Sequence, residues 1–133
     1  MPFKWGPDLI TNIPALDAHH QGIFNCINNF CEKCDENGGT EEILEVLDVL
    51  DRYTRTHFGY EEVLMKINNY PGLGDQKEQH ALFLGDLTAL KATLQTEGPS
   101  RQLTLLTKGK LIRWLCHHIK TKDRELVDFL NNR

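Results

Sequence analysis

ILEVLDVLDRYTRTHFGYEEVL, residues 43–64, decides the fold class of this chain. Its apolar side chains recur at intervals of three and four residues, the spacing that places them on one face of an α-helix. The residues on this face are Ile43, Leu47, Leu50, Tyr53, Thr54, His57, Glu61 and Leu64. The pattern predicts a helix that opens after Thr40 and ends near Asn68, ahead of Pro71-Gly72.

Three further segments show the same helical period and are separated by clusters of Gly, Pro, Asn and Ser. The first helix is predicted to begin at about Asp17, a good N-cap, and to stop before residues 37–39. The third begins near Asp75 and ends before Gly98-Pro99, and the fourth starts at Ser100. Helices of about 20 residues with short connections pack antiparallel to their neighbours. The sequence therefore predicts an all-α, up-down-up-down antiparallel four-helix bundle.

The two ends of the chain depart from this period. Residues 1–16 contain three prolines and a glycine, which predicts an extended arm that crosses the bundle and is anchored by Trp5. The last ten residues, 124–133, are expected to form a short C-terminal helix. We expect one domain, residues 1–133, made of an arm (1–16), a bundle (17–122) and a C-terminal segment (123–133).

Composition excludes several classes of function. The chain has 133 residues, 40% of them apolar, which is enough for one core. Its net charge is −4, from 15 Lys and Arg against 19 Asp and Glu, so no basic field attracts nucleic acid or an anionic membrane. No signal-peptide pattern and no apolar run of about 18 residues is present, so we expect a cytoplasmic protein. The cysteines are expected to be reduced, with Cys31 and Cys34 as helix residues rather than a redox or metal pair.

Histidines fall on the apolar face of every predicted helix: His20, His57, His80 and His118. Glu61 lies one turn beyond His57 on the same face, so the two side chains converge. A buried carboxylate costs several kcal/mol unless it is paired or coordinated. Glu61 therefore requires a cation inside the bundle.

The donor types indicate which cation. Imidazole and carboxylate without thiolate favour iron, manganese or zinc, and this set exceeds the needs of one tetrahedral zinc. Two metals bridged by carboxylates fit better, with Asp123 as the second bridge. Asp123 follows His118 by five residues, about 140° round a regular helix, so we expect the helix to loosen or end after Ile119. Three neighbouring polar residues are expected at the surface or the rim: His19, His117 and Glu62.

An ordered set of residues carries a family resemblance: Trp5; Asp17-Ala18-His19-His20; His57-Phe58-Gly59-Tyr60-Glu61-Glu62 with Met65; Pro71; His80 with Phe83; and Trp114-Leu115-Cys116-His117-His118-Ile119 with Asp123. Over nearly its whole length the chain resembles the hemerythrins, in particular the single-domain bacterial ones. The resemblance implies a non-haem di-iron centre, bridged by carboxylates and an oxo or hydroxo group, that binds O2 reversibly. It also implies six iron ligands: His20 and His57 on the iron that is open to O2, His80 and His118 on the other, and Glu61 and Asp123 as bridges.

One position departs from the family pattern. The hemerythrins have H-x-x-x-H where this chain has Gln76-x-x-x-His80. An amide oxygen is a weaker donor than imidazole. Three outcomes follow: Gln76 ligates weakly, water fills the position, or the second iron is left five-coordinate. Phe58 and Leu115 are candidate walls of the ligand pocket and are explained equally well as core residues.

The predicted function is reversible O2 binding, as a carrier, store or sensor. Because Gln76 leaves the second iron more open, the alternative is a di-iron redox enzyme that acts on peroxide, nitric oxide or O2. A further alternative is a structural or interaction bundle whose site has decayed. The expected partner is O2 or another small diatomic ligand, and the sequence does not identify a redox partner. The chain is expected to be a monomer or a weak homo-oligomer.

Overall fold

Four helices account for most of the chain. The computed structural model describes residues 5–36 and 38–132, and its first three helices are α1 (Pro14–Asp35), α2 (Thr40–Ile67) and α3 (Leu73–Glu97). The fourth, α4, runs without a break over residues 101–131. It consists of three α-helical segments, Arg101–Thr107, Arg113–His118 and Arg124–Asn131, joined by two π-helical turns, Lys108–Ile112 and Ile119–Asp123. α1 packs on α2 and α4, and α3 also packs on α2 and α4. The predicted four-helix bundle is confirmed.

One apolar core fills the space between the helices. Each helix contributes fully buried side chains, among them Phe30, Leu47, Phe83 and Leu111. In α2 the buried face differs slightly from the predicted one. Tyr53 and Leu64 are only half-buried, and Phe58 and Met65 are buried instead.

The start of α1 differs from the prediction. The helix begins at Pro14, three residues before Asp17, because a proline at the first helical position has the required φ and needs no N–H donor there. Asp17 is therefore not the N-cap. Its Oδ1 accepts hydrogen bonds from the backbone N (2.8 Å) and hydroxyl (2.9 Å) of Thr11, and its Oδ2 accepts one from the backbone N of Asn12 (3.2 Å). The carboxylate thereby ties the arm to the first turn of the helix.

The arm is short and only partly extended. Residues 7–9 form a 3-10 turn, and Leu9 is buried. The Trp5 ring packs edge-on against Phe24, with the ring centroids 5.4 Å apart, and lies 6.4 Å from the ring of His20. Residues 1–4 of the predicted arm lie outside the described residues.

Two other helix boundaries bear on the site. α3 starts at Leu73, two residues before the predicted start near Asp75. The predicted separate C-terminal helix is instead the last segment of α4, which passes through Asp123 without a break. α4 starts at Arg101, one residue after the predicted start at Ser100. Ser100 caps the helix, since its Oγ accepts a hydrogen bond from the backbone N of Leu103 at 3.0 Å.

The four cysteines are thiols, as predicted. Cys31 and Cys34 lie on the buried side of α1, and burial raises the pKa of Cys34 to about 11, so this thiol is protonated at neutral pH. Across the described ranges, no helix is long and apolar enough to span a membrane.

Candidate metal centre

The bundle core contains a cluster of six histidine and carboxylate side chains. One histidine comes from each helix, a glutamate from α2 and an aspartate from α4, and none of these residues is more than 2% exposed. The members are His20, His57, His80, His118, Glu61 and Asp123. The structure thus brings together all six residues that the sequence pattern and the resemblance singled out.

One half of the cluster lies between α1 and α2. His20, His57, Glu61 and Asp123 each offer a ligand atom, and these atoms all lie within 4.8 Å of one another. The Nε2 atom of His57 is 2.6 Å from Oε1 of Glu61, and Nε2 of His20 is 3.1 Å from Oδ2 of Asp123. Two imidazoles and two carboxylates therefore surround one point.

The other half lies towards α3 and α4. Glu61, His80 and His118 form a second group whose ligand atoms lie within 4.8 Å of one another. Oε1 of Glu61 is 3.9 Å from Nε2 of His80, and Oδ1 of Asp123 is 3.2 Å from Nε2 of His118. Each carboxylate thus reaches a histidine of both halves, which is the arrangement that two bridged cations require.

Hydrogen bonding does not satisfy this cluster. Among the described residues, its buried atoms without a hydrogen-bond partner are both ring nitrogens of His20 and of His118, Nε2 of His80, both carboxylate oxygens of Glu61 and Oδ2 of Asp123. A buried polar atom left unpaired costs about 1–3 kcal/mol. The short nitrogen–oxygen contacts described above bring possible metal-ligand atoms close together, but these atoms still lack hydrogen-bond partners. The residues therefore fit two cations, and the nitrogen and oxygen donors suit iron, manganese or zinc.

The pKa values of the two buried carboxyl groups are shifted in opposite directions, and the shift of Glu61 fits a site that lacks its cation. Burial, reinforced by the neighbouring Asp123, raises the pKa of Glu61 well above its usual value. Burial also acts to raise the pKa of Asp123, but contact with His118 and His20 outweighs it and holds this pKa well below the usual value. Burial and the neighbouring His20 hold the pKa of His57 well below its usual value. In the metal-free protein burial therefore favours the protonated form of Glu61, whereas a bound cation would favour its carboxylate.

Asp123 reaches the cluster because α4 changes its winding. The π-helical turn Ile119–Asp123 begins directly after His118 and places the two side chains on the same side of the helix. The Thr121 hydroxyl donates to the backbone carbonyl of His117 at 2.7 Å within this turn. The loosening predicted after Ile119 is therefore present, and it starts at that residue.

Gln76 lies in the same cluster and is 1% exposed. Its Nε2 atom donates a hydrogen bond to Oδ1 of Asp123 at 3.3 Å. Within the described part of the chain its amide oxygen has no hydrogen-bond partner. The residue at the departing position is thus held against the Asp123 carboxylate, and its own buried amide oxygen has no hydrogen-bond partner among the described residues.

Two residues that were expected at the surface or the rim contact the cluster instead. The Nδ1 atom of His19 is 2.9 Å from Nδ1 of His57, and Oε2 of Glu62 is 2.8 Å from Nδ1 of His80. His19 and Glu62 are each half-buried at the contact between two helices. The sequence pattern of a single helix gives no signal for these contacts, because an adjacent residue points about 100° away from the apolar face. His117 is exposed, as expected.

Aromatic rings cover the side of the cluster that faces α3 and α4. Phe58 stacks on His80, with ring centroids 3.8 Å apart and planes 1° from parallel, and Trp114 stacks on His118 at 4.4 Å and 11°. Leu115 is buried in the apolar core on the preceding turn of α4. The two stacking contacts restrict the orientation of the imidazoles of His80 and His118.

Comparison with known proteins identifies the family. Residues 11–130 match the family described as the hemerythrin HHE cation binding domain. The chain belongs to the hemerythrin family. The bacteriohemerythrin of Pseudomonas aeruginosa (strain PAO1) is 35% identical over 127 residues, which cover 93% of this chain and 78% of that protein. The bacteriohemerythrin of Stenotrophomonas maltophilia is 29% identical over 125 residues, again 93% of this chain and 78% of the relative. Myohemerythrin-1 of Phascolopsis gouldii is 30% identical over 122 residues, 92% of this chain and 89% of that protein. The hemerythrin resemblance stated from the sequence is confirmed.

Proposed function

We propose that this protein binds O2 reversibly at a non-haem di-iron centre in the bundle core, as a carrier, store or sensor. Hemerythrins bind a non-haem di-iron centre and take O2 as a small ligand. The observation that carries the proposal is the pair of buried donor groups that share Glu61. A single-metal site would leave one of these groups without a partner.

The six clustered residues would hold the irons. His20 and His57 would bind one, His80 and His118 the other, and Glu61 and Asp123 would bridge them. The iron pair, when bound, supplies the electrons for reversible O2 binding. Gln76 is a candidate additional ligand through its unpaired amide oxygen.

The protein's own task at such a centre is to keep protons and water away. Phe58 and Trp114 stack on two of the ligand histidines, and the cluster is almost completely buried. A low-polarity shell of this kind slows loss of the bound ligand by protonation. We propose Phe58 and Leu115 as walls of the ligand pocket.

A di-iron redox enzyme acting on peroxide, nitric oxide or O2 is the second candidate. The observation that favours it is Gln76, because an amide in place of an imidazole leaves the second iron with weaker or fewer donors. Turnover of peroxide or nitric oxide by the iron-loaded protein, abolished in His57→Ala, would support the enzyme over the O2-binding protein.

The test of the main proposal is anaerobic reconstitution with Fe(II) followed by optical spectroscopy. We expect two irons per chain and a visible absorption change on adding O2 that reverses on degassing. His118→Ala should lose the second iron, whereas His117→Ala, which alters the exposed neighbour, should keep both. Fewer than two irons per chain would contradict both functions and leave a structural bundle.

We further propose that the protein acts in the cytoplasm as a monomer or weak homo-oligomer, with a separate electron donor. Its four thiols support a reducing compartment. Size-exclusion chromatography with light scattering would test the oligomeric state.

A further inference from the structure

Two histidines of the cluster, His57 and His80, have partners of different charge on the ring nitrogen that faces away from the cluster. His57 contacts the imidazole of His19, and His80 contacts the carboxylate of Glu62, in each case through Nδ1. In both histidines Nε2 faces the carboxylates of the cluster. Because Nε2 is the metal-facing atom, Nδ1 carries the ring proton and is the hydrogen-bond donor.

The two acceptors act differently on the histidine they hold. A carboxylate that accepts the Nδ1 proton draws it outward and makes Nε2 a stronger electron donor. An imidazole that accepts the same hydrogen bond is neutral, since a protonated imidazole has no acceptor, and its effect is weaker. His80 is therefore the more strongly polarised of the two ligands.

Among the side chains that the structure describes, the Glu62 carboxylate pairs with His80 and has no Lys or Arg within ion-pair distance, so its charge acts on His80. The other histidine of this half, His118, has no hydrogen-bond partner on Nδ1 in the same ranges and is held by ring stacking on Trp114.

The charged partner occurs in the half of the cluster that lacks an imidazole. Gln76 stands where the family has a further histidine, and it lies against Asp123 beside His118 and His80. Glu62 belongs to the set of residues shared with the family, so its carboxylate does not replace the missing histidine. We propose that Glu62 is a positioning residue for His80 on which this chain depends more strongly than a chain with the further histidine would, because a stronger His80 offsets the missing imidazole at the second metal. The inference rests on the proposed two-metal function and adds to it how this chain retains its second metal.

The experiment is a calorimetric titration of the metal-free protein with Co(II), which gives two dissociation constants. Gln76→His identifies the second site, because only that site should tighten. Glu62→Gln keeps an oxygen that accepts the Nδ1 hydrogen bond and removes only the charge. We expect it to weaken the second site about 10- to 100-fold, the usual effect of losing an outer carboxylate, and to leave the first site unchanged.

Two further variants separate compensation from a general structural effect. His19→Gln changes the corresponding partner of His57 and should leave the second site unchanged. In the Gln76→His background, Glu62→Gln should cost only a few-fold, because the added imidazole supplies the missing donor strength. In the zinc-loaded native protein the Nδ1 nitrogen resonance of His80 should also be shifted relative to Glu62→Gln, a signature that packing alone would not move.

Three outcomes of the titrations would overturn the proposal. Glu62→Gln could leave the Co(II) affinity of the second site unchanged, weaken both sites equally, or weaken the second site by the same factor with and without Gln76→His. Uptake of only one Co(II) by the native chain would contradict both this inference and the proposed function. Uptake of two Co(II) with no reversible O2 response of the iron form would contradict the proposed function alone.

Discussion

Gln76 donates a hydrogen bond to Oδ1 of Asp123 across 3.3 Å, and both side chains are almost completely buried. The amide restrains a carboxylate that also contacts His20 and His118. The residue that departs from the family pattern, Gln76, therefore contacts the cluster directly. Its effect should be visible in the chemistry of the centre.

Gln76→His is expected to slow autoxidation of the iron-loaded protein. The added imidazole closes the second iron, whereas the native amide leaves it more accessible to water and ligands. The measurement is the rate of loss of the O2-bound spectrum under matched conditions. Gln95→His, at an exposed position on the same helix, is the control and should not change the rate. A native rate equal to or below that of Gln76→His would contradict this expectation.

Glu61→Gln is expected to stabilise the metal-free protein while abolishing uptake of two metals. Burial raises the pKa of Glu61, so folding at neutral pH must either retain a proton or bury a charge, and the amide avoids both. We expect a gain on the order of 1 kcal/mol in the free energy of unfolding, measured with urea in the presence of a chelator. Glu45→Gln, which is exposed on the same helix, should change neither property. A metal-free Glu61→Gln protein less stable than the native one would show that the carboxyl is satisfied without metal.

The metal-free protein is expected to lose stability on acidification below about pH 6.5. The pKa of His57 in the folded state lies well below 6.5, because burial disfavours its charged form, and burial lowers the pKa of His80 as well. Between pH 6.5 and these lowered values the unfolded chain binds protons that the folded chain does not, so the free energy of unfolding falls as the pH falls.

Glu61 changes the pH dependence of the free energy of unfolding in the opposite direction, so its contribution can be distinguished from that of His57. Its folded-state pKa is raised, so its contribution is present below about pH 4.5 and is lost as the pH rises through the raised value. Urea unfolding should be measured at about pH 5.5, 6.5 and 7.5, which lie roughly one unit apart around the histidine pKa. The acid-induced loss in the free energy of unfolding should be smaller in His57→Gln than in the native protein. An identical loss in both would exclude His57 as its source.

Leu115→Val is expected to accelerate autoxidation, whereas Leu111→Val should not. Both leucines are about 1% exposed on α4, so each truncation should cost about 1 kcal/mol of stability. Leu115 lies one turn before His118, close enough for the new space to admit water to the centre. Equal autoxidation rates in the two variants would remove Leu115 from the walls of the ligand pocket.

Gly22→Ala is expected to destabilise the bundle. A Cβ atom at this position would overlap the Tyr53 hydroxyl oxygen, so the tyrosine ring must leave its place between α1 and α2. Gly85→Ala, in open space on α3, should instead stabilise the protein by about 0.5–1 kcal/mol through helix propensity. Thermal unfolding of both variants provides the measurement, and a gain in Gly22→Ala comparable to that in Gly85→Ala would show that Tyr53 moves at no cost.

Most of the histidine and carboxylate cluster could be predicted because it follows helical periodicity. His57 and Glu61 are four residues apart on an apolar face, and each of the other three histidines lies on the corresponding face of its own helix. Asp123 is a different case, since a regular helix would turn it away, and only a change of winding brings it to His118. The five-residue spacing between His118 and Asp123 already predicts that the helix departs from regular winding.

The outer partners could not be predicted in the same way. His19 and Glu62 point about 100° away from the stripes of their own helices, which the periodicity of one helix interprets as exposure. They are instead held by His57 and His80 on neighbouring helices, at distances in sequence of 38 and 18 residues. Contacts of this kind depend on how the helices are rotated against each other. Likewise, the helical pattern predicts Asp17 as an N-cap, whereas its hydrogen bonds to Thr11 and Asn12 involve the arm, whose path that pattern does not contain.

The π-helical turn Ile119–Asp123 makes the length of this segment as important as its composition. Deleting a single residue between His118 and Asp123 would restore regular α-helical winding and leave the two residues four apart, the spacing at which their side chains still converge. Because the π-helical turn accommodates one extra residue, Leu126 and Val127 would stay turned towards the core after such a deletion. Regular winding of the undeleted segment would instead turn Asp123 about 140° away from His118 and remove its carboxylate from the cluster. The number of residues between His118 and Asp123 and the winding of α4 must therefore match for both side chains to reach the cluster.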